Sequence, residues 1–495
     1  MRLAELASLL LLSRLEGDGS TEITGMQTDS RQVSPGDLFF CIPGLVHDGH
    51  HFAKAAAERG AVALVVERPV PVDLPVLIVK DARLAMAVLA SHFYDYPSQA
   101  MKLIGITGTN GKTTTAFILE QLMSDLGWRT GLMGTIAMKV GDEWSEAERT
   151  TQEALDLQRN LSRMARAGTD ACVMEVSSHA LELGRVKGCH FRTAIFTNLT
   201  QDHLDFHQTM EKYEAAKGLF FARLSNGYSA DPAHRQVAVL NGDDPAARHY
   251  SRLTAAEVIT YGLDFENDVQ ASGVRVTSKG TAFTISSFAG SAEIRMKLIG
   301  KFNVYNALAA TAALLAERIP LERIREGLER VRVVPGRMEL VEGAPDFAVV
   351  VDYAHTPDGL ENALSTVSEF AEGRILVVFG CGGDRDRGKR PIMGRIAAQY
   401  SDYCIVTSDN PRTEPPESIL LEIENGLRDA GMDADAYELE VERRHAIQKA
   451  IEMASPGDVV LIAGKGHETT QIIGGTAIHF DDRLVAQEAI RGRNK

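Results

Sequence analysis

Residues 102–115 read KLIGITGTNGKTTT. Leu103 to Ile106 form an apolar run of strand length. A Gly/Thr/Asn loop follows, and a helix opens near Lys112. The helix continues through Phe117, Leu119, Leu122 and Leu126 and stops at Gly127, a residue suited to the left-handed C-terminal cap. Strand, glycine loop and helix in this order make a phosphate cradle. Gly108 and Gly111 let backbone N–H groups turn inward on phosphate oxygens, Lys112 brings a point charge to the β/γ-phosphates, and Thr113 offers a hydroxyl to Mg²⁺. The candidate nucleotide loop is therefore Gly108, Thr109, Asn110, Gly111, Lys112, Thr113 and Thr114. Ile106 stands where GxxxxGK[ST] has its first glycine. The plainer alternative is a tight strand-to-helix turn with a solvated lysine. The coincidence of loop, lysine, hydroxyl and flanking elements favours nucleotide binding.

Outward from this loop, strand-length apolar runs alternate with helix-length amphipathic segments, which predicts an α/β fold with mostly parallel sheets. A chain of 495 residues suggests about three domains. Boundaries are expected near Tyr96–Gln99 and near Val333–Gly336, the second after a helix-rich stretch from Asn303 to Val331. The expected domains are 1–98, 99–333 and 334–495. In the last of these, Ile375–Phe379, Cys404–Thr407 and Val459–Ala463 each run into a polar or glycine-rich loop. In a parallel sheet such loops gather at the carboxyl edge, where open α/β folds bind ligands.

The hydrophobic fraction of 44% and charged fraction of 24% are those of a globular chain, not a disordered one. A formal net charge of −15 argues against a general nucleic-acid binder, which needs a positive footprint, but leaves room for a local basic pocket. No run reaches the roughly 18–20 apolar residues that span a bilayer. The N-terminal MRLAELASLLLLSRLEG lacks a basic leader and a small-residue cleavage site, so an amphipathic first helix is expected there. The five cysteines are scattered and form no CxxC, so they read as reduced, buried small hydrophobes in a cytoplasmic protein.

Two further segments carry chemistry-bearing residues. Ala171–Glu175 reads as a buried strand ending in a carboxylate, which makes Glu175 a candidate Mg²⁺ ligand, directly or through water. Thr197-Asn-Leu-Thr-Gln-Asp-His-Leu-Asp-Phe-His207 gathers two histidines and two aspartates, without the four-ligand spacing of a zinc site. Lys217 lies in a helix that places Met210, Tyr213 and Phe220 on roughly one face. By periodicity alone it is a helix lysine with a solvated tip.

GTNGKTT (108–114), MEVSSHAL (174–181), FTNLTQDHLDFH (196–207), YEAAK (213–217), PGRME (335–339), DYAHTPDGL (352–360) and GKGHE (464–468) occur in this order. Together they resemble the Mur ligases, the ATP-dependent amino-acid-adding enzymes of peptidoglycan synthesis, over essentially the whole chain. The resemblance implies a small N-terminal domain for the UDP end, a central P-loop ATPase and a Rossmann-like C-terminal domain. It implies that Lys112, Lys217 and His203 are catalytic and that Thr113, Glu175, His203 and Lys217 form the Mg²⁺ site. Lys217 would be carbamylated, which turns a cation into an anionic oxygen ligand. Asn303, Asn306, Arg337, Asp352 and His355 resemble residues that hold the nucleotide. Ser30, Arg31, His47, Thr150, Thr151, Ser177 and Arg185 resemble contacts to the UDP-linked substrate. Gln152 follows Thr151 where the family usually has proline, and Leu183 stands where some relatives have glutamine.

The implied chemistry is sequential. A D-glutamyl carboxylate of a UDP-N-acetylmuramoyl dipeptide attacks the γ-phosphate of ATP, and the incoming amine then attacks the acyl phosphate. Asp409, Asn410, Pro411 and Arg412, with Arg385, Gly464 and Glu468, resemble a meso-diaminopimelate signature. Arg412 can grip the distal carboxylate with two parallel N–H bonds, and Asp409 or Glu468 can hold an ammonium. Lysine lacks that carboxylate. The alternatives are the lysine-adding ligase of the same step and a P-loop nucleotide-binding module of another class. The expected partners are the UDP-dipeptide, meso-diaminopimelate and ATP with Mg²⁺, with no nucleic acid and no membrane insertion, and the chain is expected to act as a monomer.

Overall fold

A computed structural model describes every residue except 45–46, 148, 225–234, 265, 278, 332–333, 345 and 494–495. Val333, at the second expected boundary, lies outside the described residues, and so does the side chain of Asp205. The chain divides into two compact units, Met1–Thr260 and Tyr261–Lys495.

The first unit begins with a five-stranded sheet of β1 (Ser13–Glu16), β2 (Gly25–Gln27), β3 (Asp37–Phe40), β4 (Ala63–Val66) and β5 (Val76–Val79), in the order β1-β5-β4-β3-β2. Only β1 runs antiparallel to its neighbour. Leu38, Phe40, Val65 and Leu77 pack against Ala85, Met86 and Leu89 of the helix Ala82–Phe93. That helix starts where Asp81 accepts a hydrogen bond from the Leu84 N–H at 2.9 Å. The expected first helix is corrected to one short turn, Leu3–Ala7. The leucine run beyond it forms a turn into β1 and leaves Leu11 96% exposed. Ser13 closes this turn by donating to the Ala7 and Leu10 carbonyls. Pairing of β1 with β5 outweighs a helical preference that a few residues cannot sustain.

The second sheet holds β6 (Lys102–Thr107), β7 (Thr130–Met133), β8 (Ala137–Val140), β9 (Glu143–Glu146), β10 (Ala171–Glu175), β11 (Thr193–Phe196), β12 (Val237–Asn241) and the start of β13 (Glu257–Gly262), in the order β13-β12-β11-β6-β10-β7-β8-β9. Neighbours from β12 through β7 are parallel, and β8 and β9 form an antiparallel edge. β6 is central, with every residue after Lys102 buried, so both of its faces are apolar. Gly105 has a steric reason: a Cβ there would stand 2.4 Å from the Phe220 ring and 2.7 Å from that of Phe191. The helix Lys112–Asp125 leaves the loop after β6, and Gly127 caps its end at φ +87°.

The second unit opens with an antiparallel meander, β14 (Val269–Thr277), β15 (Gly280–Ser287) and β16 (Gly290–Met296). The expectation of parallel strands did not include it. Its alternation of buried and exposed residues is that of a sheet with one wet face. The helices Lys301–Ala316 and Leu321–Arg330 fill the predicted helix-rich stretch. A six-stranded sheet follows, of β17 (Glu339–Leu340), β18 (Ala348–Asp352), β19 (Ile375–Phe379), β20 (Tyr403–Thr407), β21 (Tyr437–Glu440) and β22 (Val459–Ala463), in the order β17-β18-β22-β19-β20-β21. All but β17 are parallel. The three expected strands are β19, β20 and β22. Because β22 sits between β18 and β19, the strand order switches there and opens a crevice at the carboxyl edge. A hairpin of β23 (Thr470–Ile473) and β24 (Thr476–His479) follows β22.

No helix among the described residues is long and apolar enough to cross a membrane. All five cysteines are free thiols, four of them buried, and burial pushes Cys41, Cys189, Cys381 and Cys404 up to about 12.

Candidate functional site

In the first unit, the loop after β6 packs on the loop after β11. The Asn198 carbonyl accepts from the Thr109 N–H and its Oδ1 from the Asn110 N–H, both at 2.9 Å, and the Thr197 hydroxyl donates to the Asn110 carbonyl at 2.6 Å. The Thr109 hydroxyl donates to the Thr200 carbonyl or shares a proton with the Tyr213 hydroxyl, each at 3.1 Å. Gly108 sits at φ +148°, where a Cβ would stand 1.8 Å from the Thr197 hydroxyl oxygen. We expect Gly108→Ala to destabilise the protein by about 1–3 kcal/mol through this clash and the strained backbone. Denaturant unfolding measures it, and unchanged stability would refute the steric argument.

Two amino groups converge on one carbonyl. Lys112 Nζ donates to the Gly108 carbonyl at 2.9 Å and to the Thr109 carbonyl at 2.7 Å. Lys217 Nζ also donates to the Gly108 carbonyl, at 2.9 Å. Lys217 is 1% exposed, so the expectation of a solvated tip is corrected: its helix, Met210–Ala222, packs this face against the phosphate loop. Burial, and then the charge of Lys112, holds its amine well below the ordinary lysine value. Its Nζ also lies 4.4 Å from the centre of the Tyr213 ring.

Thr113 Oγ1, on the first turn of the helix, donates to Glu175 Oε2 at 3.0 Å. Glu175, at the end of β10 and 1% exposed, also accepts from the Thr135 N–H at 2.8 Å and from the Thr135 hydroxyl at 3.0 Å. His203 takes a left-handed backbone (φ +54°) and lies 3.2 Å from Asp202. Desolvation in the loop, helped by His179, Lys112 and Lys217, lowers its pKa against the opposing pull of Asp202.

The expected substrate contacts form two groups. Thr151 Oγ1 donates to the Glu175 carbonyl at 2.9 Å and accepts from the Ser177 N–H at 3.0 Å. Thr150 meets Thr135 at 3.1 Å, and Arg185 donates to the Thr151 carbonyl at 3.1 Å while pairing with Glu153 at 2.9 Å. These residues are thus continuous with the phosphate loop. Gln152 accepts from Asn160 at 2.8 Å, and Leu183 caps the short helix Ser178–Glu182. Ser30, Arg31 and His47 instead follow β2 and β3 at the carboxyl edge of the N-terminal sheet. Arg31 pairs there with Asp29 at 2.8 Å, and His47 is exposed. Among the described residues, no hydrogen bond or ion pair joins them to the Thr151 group.

The second unit gathers the others. Asn303 Oδ1 accepts from Asn306 at 3.0 Å within one helix. Arg337 lies over the Tyr353 ring at 5.0 Å, His467 packs on the same ring at 4.8 Å and His355 at 4.5 Å. Asp352, at the end of β18, accepts from the Met338 N–H at 2.7 Å, and burial raises its carboxyl pKa. The chain after β20 forms the turn Asp409–Arg412. Asn410 donates to Glu468 at 2.9 Å, and buried Lys465 donates to Glu468 at 2.7 Å. Arg412 takes φ +53°, joins the β23 end through its backbone, and places its guanidinium on the Gly383 carbonyl at 2.6 Å. Asp409 is 7% exposed, and its Oδ2 has no hydrogen-bond partner among the described residues. A Cβ on Gly464 would come within 2.5 Å of that oxygen. Arg385 is exposed beside this turn.

Several of these residues were not singled out from the sequence: Thr135, Asn198, Glu153, Tyr353, Lys465 and His467. Asn198, Tyr353, Lys465 and His467 carried a signal, because each sits inside a quoted motif, whereas Thr135 and Glu153 carried none.

Three family descriptions match successive segments: "Mur ligase family, catalytic domain" over residues 22–94, "Mur ligase middle domain" over 106–314 and "Mur ligase, glutamate ligase domain" over 336–466. Among curated proteins, the UDP-N-acetylmuramoyl-L-alanyl-D-glutamate–2,6-diaminopimelate ligase of Bacillus cereus is 52% identical over 95% of this chain and 95% of its own. The protein of that name from Geobacillus thermodenitrificans is 52% identical over 98% and 99%. A solved structure of a protein so named aligns at TM-score 0.72 and 32% identity over 100% of this chain and 99% of its own. MurF from Acinetobacter baumannii shares the fold at TM-score 0.65 and 20% identity, over 99% of this chain and 98% of its own. With its α/β architecture of N-terminal, central and C-terminal domains, the chain belongs to the Mur ligase family.

Proposed function

We propose that the chain joins meso-diaminopimelate to UDP-N-acetylmuramoyl-L-alanyl-D-glutamate, with ATP cleaved to ADP and phosphate, in peptidoglycan precursor synthesis. It is an ATP-dependent, peptide-bond-forming ligase. The observation that carries the choice of amino acid is the Arg412 guanidinium, held on the Gly383 carbonyl in the turn that follows β20, where it can meet a distal carboxylate that lysine lacks. The buried, orphaned Asp409 oxygen of the same turn suits the ammonium that both amino acids carry. A buried carboxylate without a donor is costly, and an ammonium supplies the missing one.

The D-glutamyl carboxylate attacks the γ-phosphorus and ADP leaves. The incoming amine then attacks the acyl carbon and phosphate leaves, with the amine's proton passing to solvent. The protein's part is positioning and charge neutralisation. Lys112 and the N–H groups of the loop from Gly111 onward cradle the phosphates, those of Thr109 and Asn110 being held by Asn198. Thr150, Thr151, Ser177 and Arg185 hold the acceptor peptide next to them, and Ser30, Arg31 and His47 the UDP end. Asn303, Asn306, Arg337, Asp352 and His355 contribute to the nucleotide. Arg385, Asp409–Arg412, Gly464 and Glu468 receive diaminopimelate.

A magnesium ion fits the donor set. The Thr113 hydroxyl keeps a lone pair while donating to Glu175, whose second oxygen is tied to Thr135, an arrangement that suits an ion holding most of its waters. Thr113 and Glu175 would hold it, with His203 and a carbamylated Lys217 beside them. When bound, it neutralises phosphate charge. We further place the domain boundaries at 98/99 and 333/334 and the reaction in the cytoplasm, where nucleotide-linked substrates are made, with the chain acting as a monomer.

Product formation with diaminopimelate and lysine side by side tests the reading. Diaminopimelate-dependent turnover is expected, and a preference for lysine would replace it with the lysine-adding reaction. Arg412→Ala should lower kcat/KM for diaminopimelate by roughly tenfold or more, because a charge-assisted contact is lost. Lysine use should not fall. Equal losses on both amino acids would make Arg412 a general structural residue.

A further inference from the structure

Arg443 and Asp482 form an ion pair at 2.7 Å, and both side chains are fully buried. Arg443 opens the helix Arg443–Met453 and Asp482 the helix Asp482–Arg493. Nε and Nη2 of Arg443 donate to the two oxygens of Asp482 at 2.8 and 2.7 Å. The pairing is therefore bidentate, which is the geometry that offsets burial of both charges.

The remaining donors leave the pair. Nη2 also reaches the Ala463 carbonyl at 3.0 Å, and Nη1 the Ser408 carbonyl at 3.4 Å. Ala463 ends β22 and precedes Gly464, and Ser408 follows β20 and precedes Asp409. β20 and β22 are not neighbours, since β19 lies between them. One guanidinium thus spans three strands and ties the two chain ends that flank the crevice. Gln471, on the hairpin after β22 and 4% exposed, donates to the Asp409 carbonyl at 2.9 Å, so the turn is held from a second side. Tolerances are small: a single added carbon on Gly464 would stand 2.5 Å from Asp409 Oδ2.

We propose that Arg443, oriented by Asp482, is a positioning residue for the incoming amino acid. It sets the separation between Asp409 and Gly464, and with it whether the buried Asp409 oxygen can be uncovered to meet an ammonium, without touching the ligand. This rests on the reading of the crevice as the diaminopimelate site. Lysine at 443 would keep the charge and the pairing with Asp482 but could not reach both carbonyls. Asparagine at 482 would keep the shape and remove the charge that orients Arg443.

The test measures KM for diaminopimelate, ATP and the UDP-dipeptide, with kcat, on the full-length wild type, Arg443→Lys and the double variant Arg443→Met/Asp482→Leu. The double variant replaces both charges with apolar side chains, so no unpaired charge is left buried as it would be if one partner alone were removed. Both variants should raise KM for diaminopimelate by about tenfold or more, the loss of one or two charge-assisted hydrogen bonds, and leave the other two KM values within about twofold. A folded variant with unchanged diaminopimelate KM, or one whose kcat falls while all three KM values stay constant, overturns the proposal. So does failure of both variants to fold, which would make the pair a determinant of the fold alone. A wild type without diaminopimelate-dependent turnover would instead overturn the assigned substrate, so the two failures are told apart by the control.

Discussion

Lys217→Ala should bring product formation to the background of the assay, and formate or acetate should restore part of it. The reason lies in the two amino groups on the Gly108 carbonyl, each at 2.9 Å. Two ammonium ions on one oxygen repel, and Lys217 is the one that is buried, so its pKa falls well below the ordinary lysine value and its neutral amine is easier to reach. A neutral buried amine is the form that adds carbon dioxide: its nitrogen bonds to the carbon, one proton leaves, and the product is an anionic carbamate. That anion faces the Lys112 cation, so the modification turns a repulsive pair into an attractive one. Small carboxylates mimic the lost anion once the side chain has gone. Mass spectrometry under carbon dioxide and the rescue titration both check it. A fully active alanine variant, or one inactive and unresponsive to any small carboxylate while folded, would count against the carbamate.

Lys112→Ala should lower turnover at saturating ATP by about 10²-fold or more, the size expected for removing one preorganised electrostatic contact to developing charge. Its amino group already lies at the mouth of the loop, held by the Gly108 and Thr109 carbonyls, so it needs little reorganisation to meet a phosphate. The substitution leaves the loop itself intact, because Asn198 and Thr197 fix the backbone of Thr109 and Asn110 independently of the lysine. The variant should therefore melt close to the wild type. Turnover near the wild-type rate would remove Lys112 from the chemistry, and a large drop in melting temperature would reassign it to the fold.

Much of this was legible in one dimension. The 102–115 stretch announced its strand, loop and helix because burial on both faces of β6, the glycines and the periodicity beyond Lys112 are local properties. The three runs that became β19, β20 and β22 were readable for the same reason, as was Gly127 as a helix stop. The leucine run at Leu9–Leu12 misled, because helical periodicity says which residues share a face but not whether a nearby strand will claim the chain first.

The sequence by itself determined the family, the α/β class, the phosphate loop and the short segments that would carry the chemistry. Those are set by residue types at fixed spacing, which survive without knowledge of neighbours. Only the tertiary structure decided what each side chain meets. Lys217 is buried against Gly108, more than a hundred positions away along the chain. Asp409 is left with a bare oxygen, and Arg443 reaches back to Ser408 and forward to Ala463 and Asp482. A lysine on a helix and an arginine at a helix start look alike in any sequence. Their protonation and their role are set by desolvation and by the carbonyls and charges that chain folding brings within about 3 Å.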